Sequence, residues 1–188
     1  MSDAIEIEYL PNSLIIRFNR PEIRSPLSIF VLEGLHEILD QNKKENLIFT
    51  GKGDVFASGA DLREIAKITG ETAAGFALRG QDLMNKIGQK NAVAAINGYC
   101  FGGALDLTLA CRKRIAAPNA IFSHPGANLG IVTGWGGTQR LTRLVGEAAA
   151  LEMFLTAERV SAEKALKIGL VDAISINPLE TALKLLAE

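Results

Sequence analysis

The most informative segment of the chain lies at its centre and reads Asn97-Gly98-Tyr99-Cys100-Phe101-Gly102-Gly103-Ala104-Leu105-Asp106. The apolar run before it, residues 92–96, is typical of a buried strand, and the apolar residues after it predict a helix over about 103–111. Glycines let a ligand approach the backbone closely, and the first N–H groups of a helix have no internal partner, so a carbonyl oxygen or an oxyanion is favoured there. The alternative is that the glycines permit tight packing and that Asp106 only stabilises the helix N-terminus. The segment alone leaves both interpretations open.

Predicted strands and helices alternate on both sides of this stretch. Strands are expected at residues 5–9, 14–18, 47–50, 92–96, 114–117, 120–123 and 171–176. Helices are expected at residues 29–39 after a Ser28 N-cap, 61–67, 75–87, 103–111, 138–144, 147–155, 161–168 and 178–188. Because parallel neighbours need a crossover as long as a helix, this order predicts an α/β fold with mainly parallel sheets and surrounding helices.

Composition excludes several classes of protein. The 188 residues are 48% hydrophobic, and 20 Lys and Arg against 21 Asp and Glu give a net charge of −1. That balance argues against nucleic acid as a partner. The N-terminus, Met1-Ser2-Asp3-Ala4-Ile5-Glu6, lacks the pattern of a signal peptide, and no run reaches the roughly 18 apolar residues of a membrane span, so we expect a cytoplasmic protein that does not enter a membrane.

The cysteines and histidines do not have the spacing of a metal site. Cys100, Cys111, His36 and His124 lack the close pairs that zinc sites use. We therefore expect no metal, and we interpret the cysteines as two small buried thiols.

A second segment also carries a loop into a helix, and it reads Phe56-Ala57-Ser58-Gly59-Ala60-Asp61-Leu62. Two such loops could direct their free N–H groups at one oxygen. A pair of backbone donors aimed at a carbonyl that becomes an enolate is a known way to stabilise thioester chemistry.

A third glycine-rich segment runs from Phe122-Ser123-His124-Pro125-Gly126 to Gly136-Gly137-Thr138-Gln139-Arg140-Leu141. It fails the dinucleotide motif G-x-G-x-x-G because Gln139 stands where the last glycine would be. The P-loop and nucleophile-elbow motifs are also absent from the sequence.

Taken in order, these segments resemble the crotonase, or enoyl-CoA hydratase/isomerase, superfamily. The resemblance extends over nearly the whole chain, and it rests on Arg20-Pro21-Glu22, Leu27-Ser28, Ser58-Gly59-Ala60-Asp61-Leu62, Asn97-Gly98, Gly102-Gly103, Gly136-Gly137-Thr138-Gln139-Arg140-Leu141, Ala165 and Gly169-Leu170-Val171. It implies a spiral of ββα turns that binds acyl-CoA thioesters, with the thioester oxygen held by the backbone amides of Ala60 and Gly103. It also implies no cofactor beyond the coenzyme A of the substrate.

The resemblance assigns further binding positions. Ser58, Asp61 and Leu62 lie in the loop that contacts the adenine end of coenzyme A in the family, and Arg24 is placed to meet a CoA phosphate unless it is simply a solvated surface arginine. The remaining substrate-binding positions are Gly102, Pro125 and Gly126.

Two departures from the family pattern affect the expected chemistry. Hydratases of the family use two glutamates, and here Asp106 occupies the first position and Gly126 the second. We expect Asp106 to be the principal proton-transfer residue and Gly126→Glu to raise hydration. His124 could substitute for the missing carboxylate, or it could be a packed or solvent-facing histidine.

The second departure is length. Family members continue with helices that cover the acyl site and build trimers, so residues 1–188 are expected to form one crotonase-like domain without the usual C-terminal helical region. We expect self-association into a homo-oligomer, a trimer or hexamer, because shortening would leave apolar surface uncovered.

Three functions remain open at this point. The first is an enoyl-CoA hydratase that stabilises a thioester enolate. The second is an enoyl-CoA isomerase or an acyl-CoA decarboxylase, and the third is a non-catalytic acyl-CoA-binding subunit.

Overall fold

The computed structural model describes residues 3–42 and 45–187. Met1, Ser2 and Glu188, which belong to the N-terminal segment and the last helix of the sequence prediction, lie outside the described residues. The strands are β1 (Ile5–Tyr9), β2 (Ser13–Phe18), β3 (Pro26–Leu27), β4 (Asn46–Gly51), β5 (Val55–Ala57), β6 (Gly59–Ala60), β7 (Asn91–Ile96), β8 (Tyr99–Phe101), β9 (Lys113–Ala116), β10 (Ile121–Ser123), β11 (Val160–Ser161) and β12 (Ala173–Ile174). The helices are α1 (Ile29–Gln41), α2 (Leu62–Ile65), α3 (Gly70–Gly88), α4 (Gly103–Ala110), α5 (Gly137–Val145), α6 (Glu147–Thr156), α7 (Ala162–Lys167) and α8 (Pro178–Ala187), with 3₁₀ turns at Pro21–Ile23 and Pro125–Leu129. Within the described ranges, no helix has the length and apolar character needed to cross a membrane.

Two sheets carry the architecture. The larger has the strand order β1-β2-β4-β7-β9-β12, and all its pairings are parallel except the β1–β2 hairpin. The smaller has the order β11-β10-β8-β5, with only β10–β11 antiparallel. The predicted α/β fold with mainly parallel sheets is confirmed.

Burial explains why the central strands are apolar along their whole length. Leu47 to Gly51 in β4 and Ala92 to Ile96 in β7 are buried on both faces, as expected for parallel strands covered by helices. One face packs against the main core, while Ile15, Ile48 and Val93 form a second cluster under α8. The Ser28 N-cap of α1 is also confirmed, because its hydroxyl accepts a hydrogen bond from the Val31 N–H.

Several short strands are missing from the sequence prediction. Residues 99–101 form β8, where the sequence predicts a turn, and β3, β5, β6 and β11 have no counterpart in the sequence prediction. The last predicted strand is also shorter than expected, since only Ala173–Ile174 pairs with β9. Strands of two or three residues are stabilised by pairing with distant segments, so local sequence carries little signal for them.

An indole fills the space between two glycines. Trp135 is 2% exposed, its ring contacts Phe76, and it occupies the space that a Cβ on Gly80 or Gly103 would need. Glycine at these positions therefore serves close packing, one of the alternatives left open by the sequence.

Because of this packing, replacing a glycine of α3 with alanine should either lower or raise the free energy of unfolding, depending on the position of the glycine. We expect Gly80→Ala to lower the free energy of unfolding by about 1–3 kcal/mol, because the new Cβ collides with the indole. Gly75→Ala in the same helix should raise it by up to about 1 kcal/mol through helix propensity, since no atom lies within 4 Å of its Cβ position. Urea denaturation of both variants measures these changes in unfolding free energy. Equal changes in Gly80→Ala and Gly75→Ala would contradict the packing argument.

Candidate active site

The three glycine-rich segments meet at one cavity of about 410 Å³. Ser58, Ala60 and Leu62 line it from one loop, and Gly102 and Gly103 from the start of α4. The third segment contributes His124, Pro125, Gly126, Thr133 and Trp135, and apolar side chains of α3 and α6 complete the wall.

The first two loops pack against each other at the cavity wall. A Cβ built on Gly59 would lie 2.7 Å from the backbone nitrogen of Gly103, so the residue before Ala60 touches the start of α4. Gly102 has φ 53°, which favours glycine, and its N–H donates to the Ser123 carbonyl at 2.9 Å. The third segment is thereby tied to the same turn.

Asp106 lies behind the cavity wall. It is 0% exposed, and one carboxyl oxygen, Oδ2, accepts a hydrogen bond from the Thr133 hydroxyl. Burial raises its pKa to about 7, although the Thr133 hydrogen bond and the charge of Arg140 act in the opposite direction. The other oxygen, Oδ1, has no hydrogen-bond partner among the described residues.

His124 faces this unpartnered oxygen. Its Nε2 lies 3.5 Å from Asp106 Oδ1 and is likewise buried without a hydrogen-bond partner among the described residues. The ring stacks obliquely on Phe154 with centroids 5.0 Å apart, and burial lowers the pKa of His124 to about 4. Unlike Asp106, His124 lines the cavity.

Other predicted binding residues lie at the rim or outside the cavity lining. Asp61 caps α2 by accepting from the Arg63 N–H and pairs with the Arg63 guanidinium at 2.6 Å, and that side-chain bond holds the pKa of Asp61 below its usual range. Leu62 is 57% exposed at the rim. Arg24 is exposed in a left-handed conformation after the first 3₁₀ turn and does not line the cavity.

The two thiols match the sequence interpretation. Cys100 and Cys111 are free and buried, and burial raises the pKa of each, to about 12 for Cys111.

Gly126 lines the cavity, but its neighbourhood corrects the expectation for Gly126→Glu. A Cβ on Gly126 would collide with the Ile131 carbonyl oxygen, and the Ile131 N–H donates to the Gly126 carbonyl at 3.0 Å, so the loop closes tightly on itself. The missing carboxylate cannot be restored here without moving backbone.

We expect Gly126→Glu to lower the free energy of unfolding by about 1–3 kcal/mol and not to raise hydration. The matched control is Ala127→Glu, which adds the same charge at the next position of the cavity lining, where the exposed residue already carries a Cβ. Thermal unfolding and turnover of the two variants provide the measurement. A more active Gly126→Glu enzyme with unchanged stability would contradict this prediction.

Sequence reasoning missed two features of the site. It did not assign Thr133, whose hydroxyl holds Asp106, because a threonine in a loop carries no motif. It also did not assign Trp135, which lies within the failed nucleotide motif, although a tryptophan between glycines is a signal of close packing.

The fold and the convergence of three loops on one cavity define a protein of the crotonase class. The family described as enoyl-CoA hydratase/isomerase matches residues 12–185, and the chain belongs to that family.

Known proteins agree with this assignment. The chain is 43% identical over 152 residues to the protein named "Probable enoyl-CoA hydratase" of Bacillus subtilis, covering 77% of this chain and 59% of that protein. It is 36% identical over 167 residues to the crotonyl-CoA hydratase of Syntrophomonas wolfei, covering 85% of this chain and 64% of that protein. The chain thus spans about three fifths of the length of these curated relatives.

Solved structures show the same fold. DspI of Pseudomonas aeruginosa superposes with a TM-score of 0.92 at 34% identity, covering 99% of this chain and 80% of the other. The enoyl-CoA hydratase of Bacillus anthracis superposes with a TM-score of 0.91 at 35% identity, covering 98% and 75%. The predicted crotonase superfamily is confirmed.

Proposed function

We propose that this chain binds an acyl-CoA thioester in the cavity and catalyses hydration of a 2-enoyl-CoA through a thioester enolate. One observation carries the proposal: the loop holding Ala60 and the first turn of α4 meet at the cavity wall, with a buried carboxyl group behind it. Amides of Ala60 and Gly103 would hold the thioester oxygen, whose charge grows as the enolate forms. Hydratases among the relatives support the same chemistry.

Asp106 has the proton affinity that this reaction needs. A group with a pKa of about 7 takes up and releases protons at nearly equal cost at neutral pH, which is the condition for efficient general acid–base catalysis. Thr133 is a positioning residue, because its hydrogen bond fixes one carboxyl oxygen and leaves the other to exchange a proton.

Double-bond isomerisation of a 3-enoyl-CoA is the second candidate. No carboxylate is found among the residues that line the described cavity, and isomerisation needs one group that removes a proton and returns it at another carbon. Hydration also requires a water to be activated, so the lack of a carboxylate in this lining is the observation that keeps isomerisation as the alternative, while the hydratases among the relatives support hydration.

Binding and turnover test the proposal together. Crotonyl-CoA hydration and 3-hexenoyl-CoA isomerisation measure the two reactions, and malonyl-CoA measures decarboxylation. Turnover of malonyl-CoA alone, or binding of CoA thioesters without any turnover, would overturn the proposal.

A ligand-based comparison tests the two amides without changing the protein. Butyryl-CoA should bind about 5- to 50-fold more tightly than S-butyl-CoA, which lacks the carbonyl oxygen, because each lost hydrogen bond removes about 1 kcal/mol. This comparison is preferable to Gly103→Pro, since any Cβ at Gly103 meets the Trp135 ring. Equal affinities by calorimetry would contradict the assignment of Ala60 and Gly103.

The remaining expectations belong to the same proposal. We propose a homo-oligomer, trimer or hexamer, in the cytoplasm, that uses no cofactor besides the coenzyme A of its substrate. Exposed apolar side chains on α6 and near the cavity, Leu151, Leu155, Leu129 and Val132, support self-association. Light scattering at high concentration tests it, and a monomer would contradict it.

A further inference from the structure

Asp106, the carboxyl group proposed to transfer protons, does not lie on the cavity surface that would contact the substrate. Asp106 is fully buried and absent from the cavity lining. Among the residues lining the described cavity, His124 is the side chain that can accept a proton at one ring nitrogen while it donates from the other, since the other polar side-chain groups there are the hydroxyls of Ser58 and Thr133 and the indole N–H of Trp135.

Asp106 and His124, which lines the cavity, approach each other through two buried polar atoms. Asp106 Oδ1 and His124 Nε2 are both buried without a hydrogen-bond partner in the described chain, and they lie 3.5 Å apart. An unpaired buried polar atom is costly, and one proton shared between these two atoms would satisfy both. The Thr133 hydroxyl already occupies Oδ2, so Oδ1 is the oxygen left for that proton.

We propose that His124 and Asp106 share one proton and that His124 is the catalytic residue that exchanges protons with the acyl group, with Asp106 as its proton store. The role of His124 in turnover rests on the proposed function, whereas the shared proton does not.

The step balances through the two ring nitrogens. With Asp106 ionised, Nε2 carries the proton and donates to Oδ1, so Nδ1 is free to accept the α-proton of the thioester. As Nδ1 takes that proton, the Nε2 proton passes to Asp106, and the C–H bonding electrons move to the thioester oxygen as an enolate. The reverse sequence returns a proton to carbon.

The surroundings favour this arrangement over an ion pair. Phe154 covers the ring from α6 with no charge, while Glu152 of that helix pairs with Lys164 in solvent. The 3₁₀ turn beside His124, Pro125–Leu129, contains no titratable side chain. From α5, Arg140 lowers the pKa of Asp106, and the Cys100 thiol on β8 stays protonated because burial raises its pKa.

The first test determines which nitrogen of the His124 ring carries a proton. The chain has two histidines, so ¹⁵N-histidine NMR with His36→Gln as the assignment control isolates the His124 ring. We expect the proton to be on Nδ1 at pH 5.5, where Asp106 donates to Nε2, and on Nε2 at pH 8.5, where Asp106 accepts. Asp106→Asn should abolish the switch. A ring that keeps one tautomer across this range would overturn the shared proton.

The second test measures proton transfer at the α-carbon of a bound thioester. Exchange of the α-protons of butyryl-CoA in D₂O should be at least about 10²-fold slower in His124→Gln, with butyryl-CoA affinity changed less than about threefold. The parent rate should rise with pH through about 7, and Asp106→Asn should lose this dependence. His36→Gln is the matched control with unchanged exchange, because His36 lies against the Arg79 carbonyl, away from the cavity lining.

The outcomes separate the two proposals. Normal exchange in His124→Gln with an active parent overturns the role of His124 and leaves the proposed function standing. A parent that neither binds nor turns over any CoA thioester overturns the proposed function and that role together, while the NMR switch still decides whether the proton is shared.

Discussion

Replacing Asp106 with asparagine should slow turnover of the acyl-CoA substrate by about 10²- to 10⁴-fold, the usual contribution of a positioned acid or base. Asparagine keeps the shape of the side chain and can still accept from Thr133, but it cannot take up or release a proton. The measurement is kcat and KM for crotonyl-CoA and 3-hexenoyl-CoA. The loss should appear in kcat, because Asp106 does not line the cavity and so contributes little to ground-state binding.

Thr133→Val provides the control for this experiment. It removes the hydroxyl that orients the carboxyl group but leaves the proton-transfer group in place, so we expect a smaller loss than for Asp106→Asn. A reduction of less than tenfold in Asp106→Asn would give Asp106 a structural role only.

The stability of the fold should depend on pH through the same carboxyl group. The folded pKa of about 7 lies above the ordinary value of 3.8, so between these values the folded chain binds more protons than the unfolded chain. Its free energy of unfolding therefore falls as pH rises toward 7. At about 1.4 kcal/mol per pKa unit, the contribution is about 4 kcal/mol.

The difference between parent and Asp106→Asn isolates this effect. His124 acts in the opposite direction, since its folded pKa of about 4 makes its contribution disappear as pH falls from 6.5, but both proteins contain His124. Urea denaturation at pH 5, 6, 7 and 8 should show the variant gaining stability relative to the parent as pH rises. A difference that stays constant over this range would contradict the raised pKa of Asp106.

The sequence alone predicted the central strands and the start of α4, because these elements depend on the local pattern of apolar residues and glycines. The apolar runs at 47–50 and 92–96 can only be satisfied by burial on both faces, so they predict central parallel strands, and β4 and β7 confirm this. The predicted start of α4 at Gly103 is also confirmed, because a helix is the structure typical of an apolar stretch that follows such glycines. The ordered motifs identified the family.

Tertiary structure alone decided how the site is connected. The sequence places Asp106 and His124 18 positions apart and Thr133 27 positions from Asp106, and nothing in their spacing indicates that they meet. Whether Gly126 could be replaced depended on the Ile131 carbonyl, and the roles of Gly80 and Gly103 depended on the Trp135 ring. Local sequence reports the conformational preferences of a segment, whereas burial and contact between distant segments set the pKa of a carboxyl group and the space available to a side chain.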